Sequence, residues 1–436
     1  MKLNNTVKVA IMSILGQGMA QGINAVTGLL RIPILVVALS ASGYGTFTLV
    51  QSVVPWLLVL PTGLRYSLRV MGADAAHSAD WSEGQLLDTH LLEARRLVCW
   101  MFAWGTPSSV VIALVWPGLA SPSKNPLEAF TTLVLLLLLV ASSFSGAVYT
   151  GWLEVHSRNG LVNVLGAATG IGGLILTFAL WRTNAPFNAF AIAGGAASVA
   201  PAWCGWIVGK SVGKREAAPS NIIKAVRKNN RGFVFATLAN LLAAGLAPFV
   251  IGLILGPESV AAHAIAARLA VIVTIIPTAL TPILWNHQAR LRSQSALGSQ
   301  DVTTTFKKIL IISGATGLFL SIVFIIVGPW IGHRLGAQSV ATPLALYLAF
   351  GAHGFLQFLV APLSASLTGP RGVAYMARTT ASAAGVSAML SVPATCWLGV
   401  SGPVWSGALG FGLLCVAWLR RIHLEGSFLD DSHLST

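Results

Sequence analysis

The run VAIMSILGQGMAQGINAVTGLLRIPILVVAL, residues 9–39, is almost unbroken apolar sequence. It is longer than the ~20 residues that carry an α-helix across a ~30 Å hydrocarbon core. A cleavable secretory leader has an apolar centre of only about 7 to 15 residues. The segment therefore reads as a retained membrane helix, although it follows a short basic start and its end, Ala38-Leu39-Ser40, imitates a processing site. It also holds Gln17, Gln21, Asn24 and a permanently charged Arg31.

The rest of the chain repeats the apolar pattern. Of 436 residues, 55% are hydrophobic and 9% are charged, with a mean hydropathy of +0.76. Soluble domains carry about 25% charged residues. Apolar runs beyond the ~18-residue threshold predict helices over 9–39, 44–69, 97–119, 127–152, 160–181 and 187–209. Six more follow over 231–255, 260–285, 306–329, 341–367, 377–398 and 402–419. The expectation is an all-α polytopic membrane protein of about twelve transmembrane helices in two six-helix lobes, 1–209 and 231–419. A basic linker at 210–230 joins them and a tail follows at 420–436.

Cytoplasmic loops accumulate Lys and Arg, which orients the chain. With both termini inside, twenty-two of the twenty-seven basic residues are cytoplasmic, seven of them in KSVGKREAAPSNIIKAVRKNNR (Lys210 to Arg231). Only Lys124, Arg182 and Arg334 fall outside. An odd helix count would destroy this asymmetry. The net charge of +14 is thus mainly a topology signal, helped by attraction to anionic headgroups, and no nucleic-acid partner is expected.

The two halves echo one another. At an offset of 216 residues NAVTGLL (from Asn24) meets NLLAAGL (from Asn240), and LPTGL (from Leu60) meets IPTAL (from Ile276), without a gap. Each half offers an Asn, an apolar helix, a short outer loop and a helix with Pro-Thr near its inner end. Paired halves with a binding site at their interface are a common transporter construction.

The two remaining basic residues, Arg31 and Arg268, lie inside predicted helices, each about eight residues from the outer end. At 1.5 Å per residue that is about 12 Å of depth. All thirteen acidic residues fall in predicted loops or at helix ends. Long side chains can snorkel to the headgroups, or the two arginines can line a cationic, water-filled cavity open to an anion. Their equal depth and the missing acid favour the cavity. Gln17, Gln21 and Asn24 recur on one helix face at spacings of four and three and are further candidate lining, although interhelical hydrogen bonds suit each of them equally. His263, His353 and Gln357 are weaker candidates. Pro33 and Pro248 remove helix amides and mark either breaks beside a site or ordinary kinks. The pairs Gly18/Gly22 and Gly166/Gly170 have the spacing of close helix packing.

Other features carry no chemistry. Cys99, Cys204, Cys396 and Cys415 have no metal-ligand spacing and read as packing residues; no metal or cofactor is expected. GWIVGKS (Gly205 to Ser211) has three residues between its glycines where a phosphate-binding loop needs four. DWSEGQLLDTHLLEARRL (Asp80 to Leu97) has helical apolar period and is expected to lie along the inner membrane surface with its charges solvated.

The stretch LRIPILVVALSASGYGTFTLV followed by LPTGLRYSLRV, and GWLEVHSRNGLVNVLG after the fourth helix, resemble the lipid-linked polysaccharide (O-antigen type) flippases of the multidrug/oligosaccharidyl-lipid/polysaccharide exporter superfamily. Tyr44-Gly45 opening helix 2, and Gly63-Leu64 then Arg65 at its inner end, carry the likeness. The resemblance implies two six-helix lobes in a V, moving an undecaprenyl-diphosphate oligosaccharide across a bacterial inner membrane by alternating access. It also implies cavity arginines, at positions that Arg31 and Arg268 approximate. Membrane lipids and the polymerase and glycosyltransferases of glycan assembly are the implied partners, and the protein itself is not expected to be an enzyme.

Three rivals stand beside this reading. A cation-coupled multidrug exporter of the same superfamily calls for buried carboxylates, which the spans lack. A glycan polymerase or ligase calls for a sizeable outer region, whereas the predicted outer loops have about 13 residues or fewer. A scaffold without transport would keep the same bundle.

Overall fold

A computed structural model describes residues 2–75, 82–119, 121–156, 158–210, 216, 220–293, 299–336, 339–367 and 370–424. These form α1 (Lys2–Ala75), α2 (Glu83–Val115), α3 (Pro126–Val155), α4 (Asn159–Arg182), α5 (Phe187–Lys210) and α6 (Ser220–Ala244). The series continues with α7 (Ala247–Leu255), α8 (Pro257–Ser293), α9 (Ser299–Leu335), α10 (Leu344–Ser366), α11 (Pro370–Leu398) and α12 (Gly402–Leu424). No strand occurs among the described residues.

Among the described residues, nine segments are long and apolar enough to cross a membrane. Gly18–Arg69 has 52 residues and Tyr375–Ile422 has 48. At 1.5 Å per residue each exceeds twice a ~30 Å hydrocarbon core, so each holds two crossings. The all-helical multi-pass fold expected from the sequence is the observed one. Large apolar side chains such as Trp397, Met389 and Ile326 (89, 80 and 70% exposed) face outward, as a lipid solvent requires.

Three local features add to the sequence reading. The first two crossings, expected over 9–39 and 44–69, are two helices that meet in a kink at Ser40, whose dihedrals are non-helical (φ 67°, ψ 172°). That backbone region belongs almost wholly to glycine; the Ser40 hydroxyl offsets part of the strain by accepting from the Gly43 amide (3.4 Å). Next, helical dihedrals persist through Pro33, whereas the second half is interrupted at 245–246, just ahead of Pro248 in α7. A proline in a first helical turn forfeits no helix hydrogen bond, so the interruption removes the cost that Pro33 still carries. Finally, the amphipathic stretch is not a separate surface helix. Ser82 caps α2 with a capping box through Gln85, and the helix runs unbroken into its apolar span. Leu86, Leu87 and Glu93 are buried, and Glu93 pairs with Arg227 (3.0 Å) and Arg96 (3.5 Å). Asp80 and Trp81 lie outside the described residues.

The chain divides into two compact units, Met1–Leu241 with Gly256–Ala261, and Leu242–Leu255 with Ala262–Thr436. In the first, α3 and α5 run parallel. Thr132 donates to Asn188 (3.0 Å) and Trp203 donates to Ser142 (2.8 Å). Gln51 of α1 reaches the Ala191 carbonyl (2.8 Å). The family-like stretches meet where Arg65 forms a two-pronged ion pair with Glu154. Gly45, packed on the Pro257 backbone, leaves no room for a Cβ.

In the second unit α9 and α10 are antiparallel, with Ser313 donating to the Phe358 carbonyl (2.6 Å) and Phe324 against Tyr347 (5.6 Å). Trp418 of α12 donates to Thr379 of α11 (2.8 Å), above a cluster that includes Phe306, Leu363, Met376 and Leu414. Arg182 in the first unit rests on Phe178 and Trp181, and Arg334 in the second on Trp330. This amphipathic stacking suits a membrane interface.

Candidate functional site

The site begins with a helix pair inside the first unit. The polar face of α1 contains Gln21, Asn24, Thr27 and Arg31. The facing stripe of α4 is Gly170, Gly173 and Thr177, small residues at spacings of three and four, while Gly166, one turn earlier, has open space where a Cβ would stand. A Cβ on Gly170 would strike the Asn24 side-chain oxygen and crowd Thr27 Oγ1 (3.2 Å). A Cβ on Gly173 would crowd Arg31 Nη1 (3.3 Å) and Ala197 (3.0 Å). Higher numbers on α1 meet higher numbers on α4, so the two helices are parallel. First and fifth crossings must have that relation when three crossings separate them.

The stripe ends on a hydrogen bond. Arg31 Nε donates to Thr177 Oγ1 at 3.0 Å, and Thr177 donates its own proton to the Gly173 carbonyl at 2.7 Å. Thr177 is buried, 1% exposed, while Arg31 is half-buried. Committing its hydroxyl proton to its own helix leaves Thr177 only lone pairs to offer. A neutral oxygen thus orients the guanidinium without cancelling its charge. Arginine keeps that charge at any physiological pH, and its planar fork can grip two oxyanions at once.

The structure therefore brings Asn24 and Arg31 to one seam and adds Thr177, which the sequence reading missed. The available signal was a hydroxyl one helical turn beyond Gly173, on the face that the glycines open. Gln21 Oε1 is buried with no hydrogen-bond partner among the described residues. The Gln17 side chain lies outside the described residues. Arg268, in α8 of the second unit, is exposed and has no ion pair among the described residues. His263 stacks near Phe350 (5.4 Å) and His353 near Phe411 (4.8 Å), while Gln357 Nε2 donates to His353 Nε2 (3.0 Å). The GWIVGK segment is plain helix within α5.

The sequence matches no family model and no curated protein. The fold matches solved structures throughout. A multidrug resistance MATE family transporter of the MOP superfamily, captured in an inward-facing conformation, superposes with a TM-score of 0.74 at 14% identity. The match covers 95% of this chain and 98% of that one. The lipid II flippase MurJ, in an inward closed conformation, gives 0.63 at 12% identity over 93% of this chain and 87% of its own. A MOP superfamily transporter from Pyrococcus furiosus, described as having a binding pocket of reversed polarity, gives 0.63 at 12% identity, covering 96% and 95%.

Proposed function

We propose that this chain, with the fold of the MATE transporters and of MurJ, carries an undecaprenyl-diphosphate-linked oligosaccharide across the bacterial inner membrane by alternating access. The export serves assembly of cell-surface glycan. The observation that supports it is Arg31: a guanidinium within a membrane-spanning bundle, oriented by a hydrogen bond to the buried Thr177. A diphosphate supplies several acceptor oxygens and negative charges for such a donor fork, and the isoprenoid tail can remain in lipid throughout. Arg268, exposed on a spanning helix of the other unit, supplies a second guanidinium.

The reading also has a driving force. An inside-negative membrane favours outward movement of a negative head by about 2.3 kcal/mol per charge per 100 mV. On this reading both termini and the basic segment after Lys210 are cytoplasmic, as the distribution of Lys and Arg suggests. Glycosyltransferases would supply the cargo and a polymerase would consume it.

The TM-score of 0.74 with a multidrug transporter favours a second reading, export of cationic drugs. Against it, the carboxylates of Glu93 and Glu154, which are largely buried among the described residues, are each matched to arginine. The discriminating experiment replaces Arg31 and Arg268 separately with Ala and measures glycan export at matched expression. The proposal expects a loss of at least tenfold in each. Normal export in both variants, or altered drug resistance with unchanged glycan, overturns it.

A further inference from the structure

Beyond its cargo, we propose that the first unit holds one anionic glycerophospholipid as a fixed ligand, its acyl chain in a groove between α1, α2 and α3 and its phosphate over Arg95 and Arg96. The groove has a volume of about 420 Å³ and its lining is overwhelmingly apolar. Val53, Trp56 and Leu60 of α1 form one wall, Leu133 and Leu137 of α3 the floor. The α2 wall runs from Leu97 to Ile112 and carries Trp100 and Trp104, stacked at 6.5 Å and 51 and 67% exposed.

Depth and length identify the occupant. From Leu97 to Val115, α2 has no charged side chain, and those nineteen residues span about 28 Å at 1.5 Å per residue. That matches a ~30 Å hydrocarbon core, so Arg95 and Arg96 stand at headgroup level. The lined part of α2 is about 22 Å long by the same rise, enough for a whole acyl chain of one leaflet.

Charge at the mouth selects the headgroup. Glu93 continues the lining stripe of α2 downward, but it is already paired with Arg227 and Arg96. Those two guanidiniums keep 42 and 41% of their side-chain surface exposed. Arg95, exposed on the opposite flank, has no ion pair among the described residues. Three guanidiniums against one carboxylate leave the mouth positive, the complement of a phosphodiester without a compensating ammonium.

The test uses the purified full chain and native mass spectrometry, titrating dioleoyl phosphatidylglycerol against dioleoyl phosphatidylcholine. The expected result is one tightly retained phosphatidylglycerol with at least a tenfold preference. Replacing both Arg95 and Arg96 with Gln should abolish the preference while leaving weak binding of either lipid. Ser108→Trp, an exposed position that fills the groove from α2, should lower retention of both lipids about tenfold. Arg96→Gln removes one ion pair of the buried Glu93 and leaves its pair with Arg227 in place, Ser108 is exposed, and an unchanged melting temperature verifies the fold. Retention unaffected by both variants, or an isoprenyl diphosphate displacing phosphatidylglycerol one for one, overturns the assignment. The second outcome would give the groove to the cargo.

Discussion

Arg31 and Thr177 lie 146 positions apart in sequence, yet Arg31 Nε donates to Thr177 Oγ1 across 3.0 Å. The bond fastens the first crossing to the fifth where glycines let the two helices touch. It fixes the direction of the guanidinium fork. Thr177→Val keeps the shape of the side chain and removes the acceptor. A hydrogen bond to a charged group is worth about 1.5–3 kcal/mol, so transport should fall roughly tenfold or more while expression holds. Thr177→Ser should retain activity; export measured at matched expression checks both.

Close approach along the same seam sets a second expectation. Gly170→Val would drive a branched side chain into Asn24 and Thr27, and overpacking of this kind costs about 1–3 kcal/mol. The purified variant should melt several degrees lower. Adding Asn24→Ala removes the group struck first and should recover part of the loss. No recovery would place the strain elsewhere.

Ser40 occupies glycine's backbone region between the first two crossings. Ser40→Gly should therefore raise stability by about 1 kcal/mol, the low end of the cost of such residues, and Ser40→Val should lower it. Thermal unfolding of the two variants in one detergent decides the sign.

The Arg65–Glu154 pair joins the C-terminal end of the second crossing to that of α3. Its carboxylate is only 9% exposed and its guanidinium 36%. Removing one partner of a buried pair costs about 3–5 kcal/mol, and the exposed guanidinium reduces this to about 1–3 kcal/mol by screening. Glu154→Gln should lower the melting temperature accordingly. A control at Arg69, which is exposed, should leave it unchanged.

Hydropathy alone revealed the all-helical membrane fold, because lipid forces every backbone amide into a helix and ~20 apolar residues into each crossing. The places where reading failed are places where tertiary contacts decide. Nothing local distinguishes Pro33, which α1 tolerates, from Pro248, ahead of which the chain breaks. The charges of Glu93 and Arg96 look solvated in sequence. They are instead a paired cluster because Arg227 arrives from α6, 134 positions away. Arg31 was conspicuous as a charge in an apolar run. Its anchor Thr177 was not, since one hydroxyl in an apolar helix is ordinary until the glycines beside it are seen to face α1.

The most direct measurement of the central claim is binding of a short isoprenyl diphosphate to the purified protein and to its Arg31→Ala variant, with a lipophilic cation as competitor. The account predicts saturable binding of the diphosphate, weakened at least tenfold by the substitution and indifferent to the cation. Equal affinity in both proteins, or displacement of the diphosphate by the cation at equal concentration, would contradict it.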